Sequence, residues 1–246
     1  MHIDLNADLG EGCGDDAAML DVVSSANVAC GGHAGDRVSM LATSDLARRR
    51  RVRIGAHPSY EDRANFGRLA LAVESAELER QMIRQLRSLA NEAVRVGSRI
   101  SYVKPHGALY HAVASDAAHA SAVVAAISKW SPGLPVLGAP QSLFLRLAAE
   151  AGLPTVAEGF ADRAYDPSGA LVPRARAGAV LHDVDQVVEQ AVLMATERRV
   201  RTIDGTVVDM GIDSICLHGD TVGAVRLATA VRRGLEAAGV RVVAFA

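Results

Sequence analysis

Residues able to move protons, bind anions or ligate metals recur at one kind of position in this chain, the C-terminal end of a short apolar run. Asn6 and Asp8 with Glu11 just beyond, His33, His57, Lys104 with His106, Glu158 with Asp162 and Arg163, and His218 with Asp220 each close or follow such a run. Arg68 sits in the loop after His57. Carboxylates and imidazoles serve general acid–base work, and lysine or arginine can hold an oxyanion, a phosphate or a carboxylate. One strand-end histidine alone reads most simply as a cap on a loop carbonyl. Six segments with the same placement point instead to side chains converging on one rim.

The first of these segments, residues 3–12, sets the pattern. Strand side chains alternate faces, so Asp4, Asn6 and Asp8 share one face while Ile3, Leu5 and Ala7 share the other. A polar face so close to two glycines around Glu11 suits the wall of a wet site. Residues 24–36 run from a strand into a glycine-rich turn whose backbone N–H groups can cradle an anion. Lys104 is one of only two lysines, and at a barrel mouth it is expensive to leave unpaired. Glu158, Asp162 and Arg163 suit acid–base chemistry or a structural ion pair. No histidine pair has HxxxH spacing, so a zinc motif is not signalled, while a divalent metal assembled from scattered strand ends stays open. Cys13, Cys30 and Cys216 lack CxxC spacing, which disfavours a disulfide framework and fits a reducing compartment.

The elements that must carry these residues are strand-like runs at 3–6, 23–29, 53–57, 100–104, 136–138, 155–158, 214–217 and 241–245, with helical patterns between most of them. Leu78, Met82, Leu86, Leu89 and Ala93 make one apolar helix face. Val184, Val187, Val188, Ala191 and Val192 repeat it behind Asp183 as N-cap, and Val225, Ala228, Val231 and Leu235 form a last face. Gly97, Gly152 and Gly239 read as helix stops feeding strands. Seven or eight strand–helix units in 246 residues predict a closed (β/α)7-8 barrel, with residues 1–246 as a single domain. Neither GxGxxG nor GxxxxGK[ST] occurs. A net charge of −2 with interspersed signs gives no reason to expect nucleic acid or a membrane surface as partner. Without a spanning apolar run or a leader-like start, a cytoplasmic protein acting on a small molecule is expected.

Several blocks, in order, resemble the signature blocks of the LamB/YcsF family: residues 4–11, 25–36, 55–60, 103–110, 158–163 and 217–220. Gly32 stands where relatives often carry Phe, Glu61 where Pro is common, and His111 where Asn often follows the tyrosine. The resemblance implies an irregular barrel shared with glycoside hydrolases and polysaccharide deacetylases. It also implies ATP-dependent opening of the lactam of 5-oxo-L-proline to L-glutamate, with ATP as cofactor and two partner subunits. On that basis Asp8, His57, Lys104 and Glu158 are expected to be catalytic. Asn6, Glu11, His33, Arg68, His106, Asp162, Arg163, His218 and Asp220 are expected to bind substrate or nucleotide, with Arg163 on the substrate carboxylate. Lys104→Ala is expected to abolish turnover with the fold intact. The alternatives are a metal-dependent hydrolase of the same architecture and a non-catalytic substrate-binding subunit.

Overall fold

The computed structural model describes residues 1–218 and 223–246, so Asp220 lies outside the described residues. The strands are β1 (His2–Leu9), β2 (Ser25–Ala29), β3 (Arg53–His57), β4 (Tyr102–Val103), β5 (Val136–Gly138), β6 (Thr155–Phe160), β7 (Arg199–Arg201), β8 (Val207–Asp209), β9 (Ser214–Leu217) and β10 (Arg241–Val242). The helices are α1 (Asp16–Leu20), α2 (Arg37–Arg50), α3 (Ser75–Arg95), α4 (Gly107–Ser115), α5 (Ala117–Trp130), α6 (Leu143–Glu150), α7 (Val184–Glu197) and α8 (Ala224–Ala237).

Strands β1 to β6 pair in chain order, β6 pairs with β9, and β9 returns to β1, closing a seven-stranded parallel barrel. The expected (β/α)7-8 barrel is therefore the observed one. The eighth run is β10, which adds to the start of β1 at His2 and Ile3 outside the closed ring. Strands β7 and β8, which the sequence patterns do not predict, form an antiparallel hairpin apart from the barrel. In β7 exposed arginines flank a single buried valine, Val200, and β8 buries no residue fully, too brief a pattern to register as a strand pair.

Helix packing follows the apolar periodicity. Leu78, Met82, Leu86 and Leu89 of α3 are fully buried, each stabilising by roughly 1.5–3 kcal/mol relative to exposure. Asp183 caps α7 by accepting from the Gln186 N–H at 2.9 Å. On α8, Leu227 is buried beside Ala228, Val231 and Leu235, and Val225 is only half-buried. Gly97, Gly152 and Gly239 take φ of +73°, +79° and +78°, as left-handed helix stops require. No helix among the described residues is long and apolar enough to cross a membrane.

The lumen is unusual for this architecture, where aliphatic layers are the rule. Asp4 accepts hydrogen bonds from Ser24, Ser25 and Ser214 hydroxyls at its lower end. Above it, Asn6 donates to Glu158 Oε1 at 2.9 Å and Ser214 Oγ at 2.8 Å, while Asn27 donates to Asn6 Oδ1 at 2.7 Å. Tyr102 donates to Asn27 Oδ1 at 2.6 Å, and its ring packs on Phe245 from the C-terminal segment. Each of these buried residues thereby finds a partner across the barrel, which offsets its desolvation, while Glu158 Oε2 has no hydrogen-bond partner among the described residues. The even-numbered residues of β1 face inward, as alternation requires.

Candidate active site

Lys104 follows β4 and lies on the lumen axis, 2% exposed. Its ammonium is 2.9 Å from Glu158 Oε1, 3.2 Å from Asp8 Oδ1, 3.3 Å from Asn6 Oδ1 and 3.1 Å from Cys216 Sγ. Burial favours the neutral amine, but Asp8, Cys216 and Glu158 outweigh it and hold the lysine well above its ordinary range. Burial would likewise raise the Asp8 carboxyl. His57 and Lys104 outweigh it and keep Asp8 well below the usual carboxylate range.

A histidine cluster sits over this floor. His57 ends β3, and its Nδ1 donates to the Lys104 carbonyl at 2.8 Å. His106, just before α4, donates from Nε2 to the Phe66 carbonyl at 3.0 Å. His57 Nε2 and His106 Nδ1, the ring nitrogens turned away from those carbonyls, face each other at 3.0 Å. Asp8 Oδ2 is 3.3 Å from His57 Nε2, and Glu11 Oε1 is 3.5 Å from His106 Nδ1. His33 donates from Nε2 to Glu11 Oε1 at 2.9 Å and stacks on His106 with centroids 3.6 Å apart. Burial, then the neighbouring His57, pushes His33 down to about 3 and His106 to about 2. Asp8, Glu11, His57 and His106 offer one ligand atom each, all within 4.8 Å of one another. Scattered strand ends thus bring together a group of metal-ligating character that no local spacing announces. The loops approach closely here: Gly107 has φ +57°, and a Cβ there would press on the Gly67 carbonyl.

A cavity of about 720 Å³ opens above the cluster, lined by Asp8, Glu11, His57, Lys104 and His106, by Arg68 beside Phe66, and by Arg163, Arg174 and His218. His218 lies flat on Phe160 and is held by Asp162 through Nδ1 at 2.7 Å. Burial would raise the Asp162 carboxyl, but His218 outweighs it and lowers it. Arg163 donates to the carbonyls of Val172 at 2.7 Å and Ala179 at 3.2 Å, so much of its guanidinium holds the 163–181 loop. Arg174, exposed on that loop, presents a second guanidinium to the cavity. Arg68 lies over the Phe66 ring at 5.0 Å. Glu158 sits beneath Lys104 with its side chain closed to solvent, and His33 sits behind Glu11 and His106.

Several residues of the site carry no individual signal in the sequence. Asn27, Tyr102, Ser214 and Cys216 join it from the lumen. Tyr110 lines the cavity with a buried hydroxyl that has no hydrogen-bond partner among the described residues. The Cys30 thiol is pushed up to about 12 by burial, which keeps it protonated. Gly32 packs against Gln85 and Ser59, and a Cβ there would overlap both side chains. Gln85 in turn holds Ser59 through two hydrogen bonds, at 3.0 Å and 2.8 Å.

A closed parallel β/α barrel with a charged, histidine-rich pocket at the strand C-termini defines a protein of the broad hydrolase-type barrel class. The chain belongs to the LamB/YcsF family, which it matches over residues 3–246. It is 53% identical to a 5-oxoprolinase subunit of Streptomyces avermitilis, the A component of that enzyme, over 99% of this chain and all of that protein. The lactam utilization protein from Thermus thermophilus superposes with a TM-score of 0.95 at 38% identity, each chain covered completely. A family 4 carbohydrate esterase from Streptomyces lividans, at TM-score 0.50 and 11% identity over 100% of this chain and 93% of that one, shares the fold alone.

Proposed function

We propose that this chain acts as a single domain in the cytoplasm, as the A component of an ATP-dependent 5-oxoprolinase with two partner subunits. The complex opens the lactam of 5-oxo-L-proline to L-glutamate. One observation carries the reading: identity near 50% runs over 99% of this chain and 98–100% of relatives named as this 5-oxoprolinase component.

The polarised cavity suits such a substrate. Its arginine side, with Arg174 and Arg163 foremost, receives the carboxylate, and Phe160, Leu171 and Val172 face the ring methylenes. A lactam carbonyl is a poor electrophile. Coupling to ATP activates its oxygen as a phosphorylated imidate, and the fixed charge of Lys104 at the cavity floor stabilises the anion that develops. Asp8 and Glu11 orient the attacking water. His218, held by Asp162 through one ring nitrogen, presents the other towards the cavity and hands a proton to the departing ring nitrogen, which leaves an acyl phosphate that a second water cleaves to L-glutamate and phosphate. Glu158, His33 and Asn6 hold Lys104, Glu11 and the lumen in place, acting as positioning residues.

The test is glutamate formation from 5-oxo-L-proline and ATP by the chain reconstituted with its partner subunits. Production that needs all components, and stops when this chain is omitted, is expected. Equal production without this chain overturns the reading.

A further inference from the structure

We propose that Asp8, Glu11, His57 and His106 form a binding site for one divalent transition-metal ion, Zn²⁺ in preference to Mg²⁺ or Ca²⁺. Hydrogen bonding already present fixes which atoms of the two rings would bind. A backbone carbonyl only accepts, so His57 Nδ1, on the Lys104 carbonyl, and His106 Nε2, on the Phe66 carbonyl, carry the protons. In the neutral rings the inward nitrogens carry the lone pairs, and they meet two carboxylate oxygens. Four acceptor atoms facing one another repel unless a cation or a shared proton lies among them.

Spacing favours the cation. Ligand atoms about 2.1 Å from a metal lie roughly 3.0–3.4 Å from their neighbours in octahedral or tetrahedral arrangement. Three of the six observed edges are 3.0 Å from His57 Nε2 to His106 Nδ1, 3.3 Å from His57 to Asp8 Oδ2, and 3.5 Å from His106 to Glu11 Oε1, and all four ligand atoms lie within 4.8 Å of one another. The outer ring of contacts is also that of a metal site. Both imidazoles are oriented by carbonyls, Asp8 Oδ1 is held by Lys104 and Asn27, and Glu11 is held by His33. Two imidazoles and two carboxylates make a borderline donor set, which suits Zn²⁺, Co²⁺ or Mn²⁺ better than the all-oxygen sets of Mg²⁺ and Ca²⁺. The site opens on the cavity through Asp8, Glu11, His57 and His106, which leaves room for water or substrate on the ion.

The site stands apart from the lactam reading, because binding is measured on the full chain without partners, substrate or ATP. Chelator-stripped protein is titrated with Zn²⁺ by calorimetry and with Co²⁺ by visible absorption. One equivalent per chain with Co²⁺ ligand-field bands is expected, and His57→Ala and His106→Ala each weaken it at least about 100-fold. His182→Ala, at an exposed histidine outside the cluster, leaves binding unchanged. Circular dichroism checks each variant, and Glu11→Gln, which keeps side-chain volume, carries the same expectation if a histidine variant does not fold. Folded wild-type protein that binds neither ion overturns the proposal, and so does unaltered binding in the folded ligand variants.

Discussion

Lys104 Nζ and Glu158 Oε1 lie 2.9 Å apart with neither side chain more than 2% exposed, a buried ion pair at the centre of the barrel. Removing one partner of such a pair leaves the other as an uncompensated charge. Lys104→Ala, expected from sequence to spare the fold, is therefore expected to lose about 3–5 kcal/mol of stability as well as turnover. Adding Glu158→Gln to that variant recovers stability without restoring glutamate formation. Urea unfolding of the four members of the cycle measures the coupling, and independent effects of the two substitutions would contradict it.

Asp4 supplies a pH dependence of known sign. Burial raises its carboxyl from 3.8 to about 6, against the lowering effect of the Ser214, Ser25 and Ser24 hydroxyls. The folded state therefore keeps a proton that the unfolded chain releases near pH 4. This contribution to stability is complete below about pH 4 and is lost as pH rises through about 6, a change of roughly 3 kcal/mol. Asp4→Asn does not titrate, so between about pH 4 and pH 7 its stability relative to wild type rises by that amount. Denaturation midpoints at both pH values check this, and a constant difference would clear Asp4 of the effect.

The Asp162–His218 pair separates orientation from stability. Asp162→Asn keeps the shape of the side chain but no longer stabilises the protonated ring. A fall of about 10²–10⁴-fold in kcat is expected, with KM little changed. Steady-state kinetics of the reconstituted complex read the split. A rise in KM alone would place His218 in substrate binding.

Tyr110 offers the cleanest functional variant. Its buried hydroxyl has no protein hydrogen-bond partner among the described residues, so Tyr110→Phe removes nothing that supports the fold. Thermal unfolding is expected to be unchanged or slightly raised, while kcat/KM for 5-oxo-L-proline drops about 10-fold through loss of one hydrogen bond to substrate. A lower melting temperature with intact kinetics would assign the hydroxyl a structural part.

Much of the barrel is legible in the sequence because its signals are local. The face shared by Asp4, Asn6 and Asp8, the apolar stripe of α3 and the stops at Gly97, Gly152 and Gly239 each follow from a few neighbouring residues. The β7–β8 hairpin escapes because Arg199 and Arg201 flank one buried valine. Histidines and carboxylates at strand ends stand out by type, so the rim is visible early. The lumen is not. Asn6 meets Glu158 across 152 residues and Lys104 meets Cys216 across 112, and no periodicity encodes such encounters. Likewise, the rings of His57, at the end of β3, and His106, just before α4, meet because the carbonyls of Lys104 and Phe66 orient them.

The contact between Asp4 and Ser214 spans 210 residues, and it sits where the last barrel strand meets the first. A ribosome must therefore deliver β9 before β1 acquires its second neighbour. Until then the nascent chain carries an open strand edge and a row of unmatched polar groups, a state prone to wrong pairing. Folding of this chain is accordingly a late, high-contact-order event, and fragments ending before residue 214 are substrates for chaperones and proteases rather than smaller working versions of the protein.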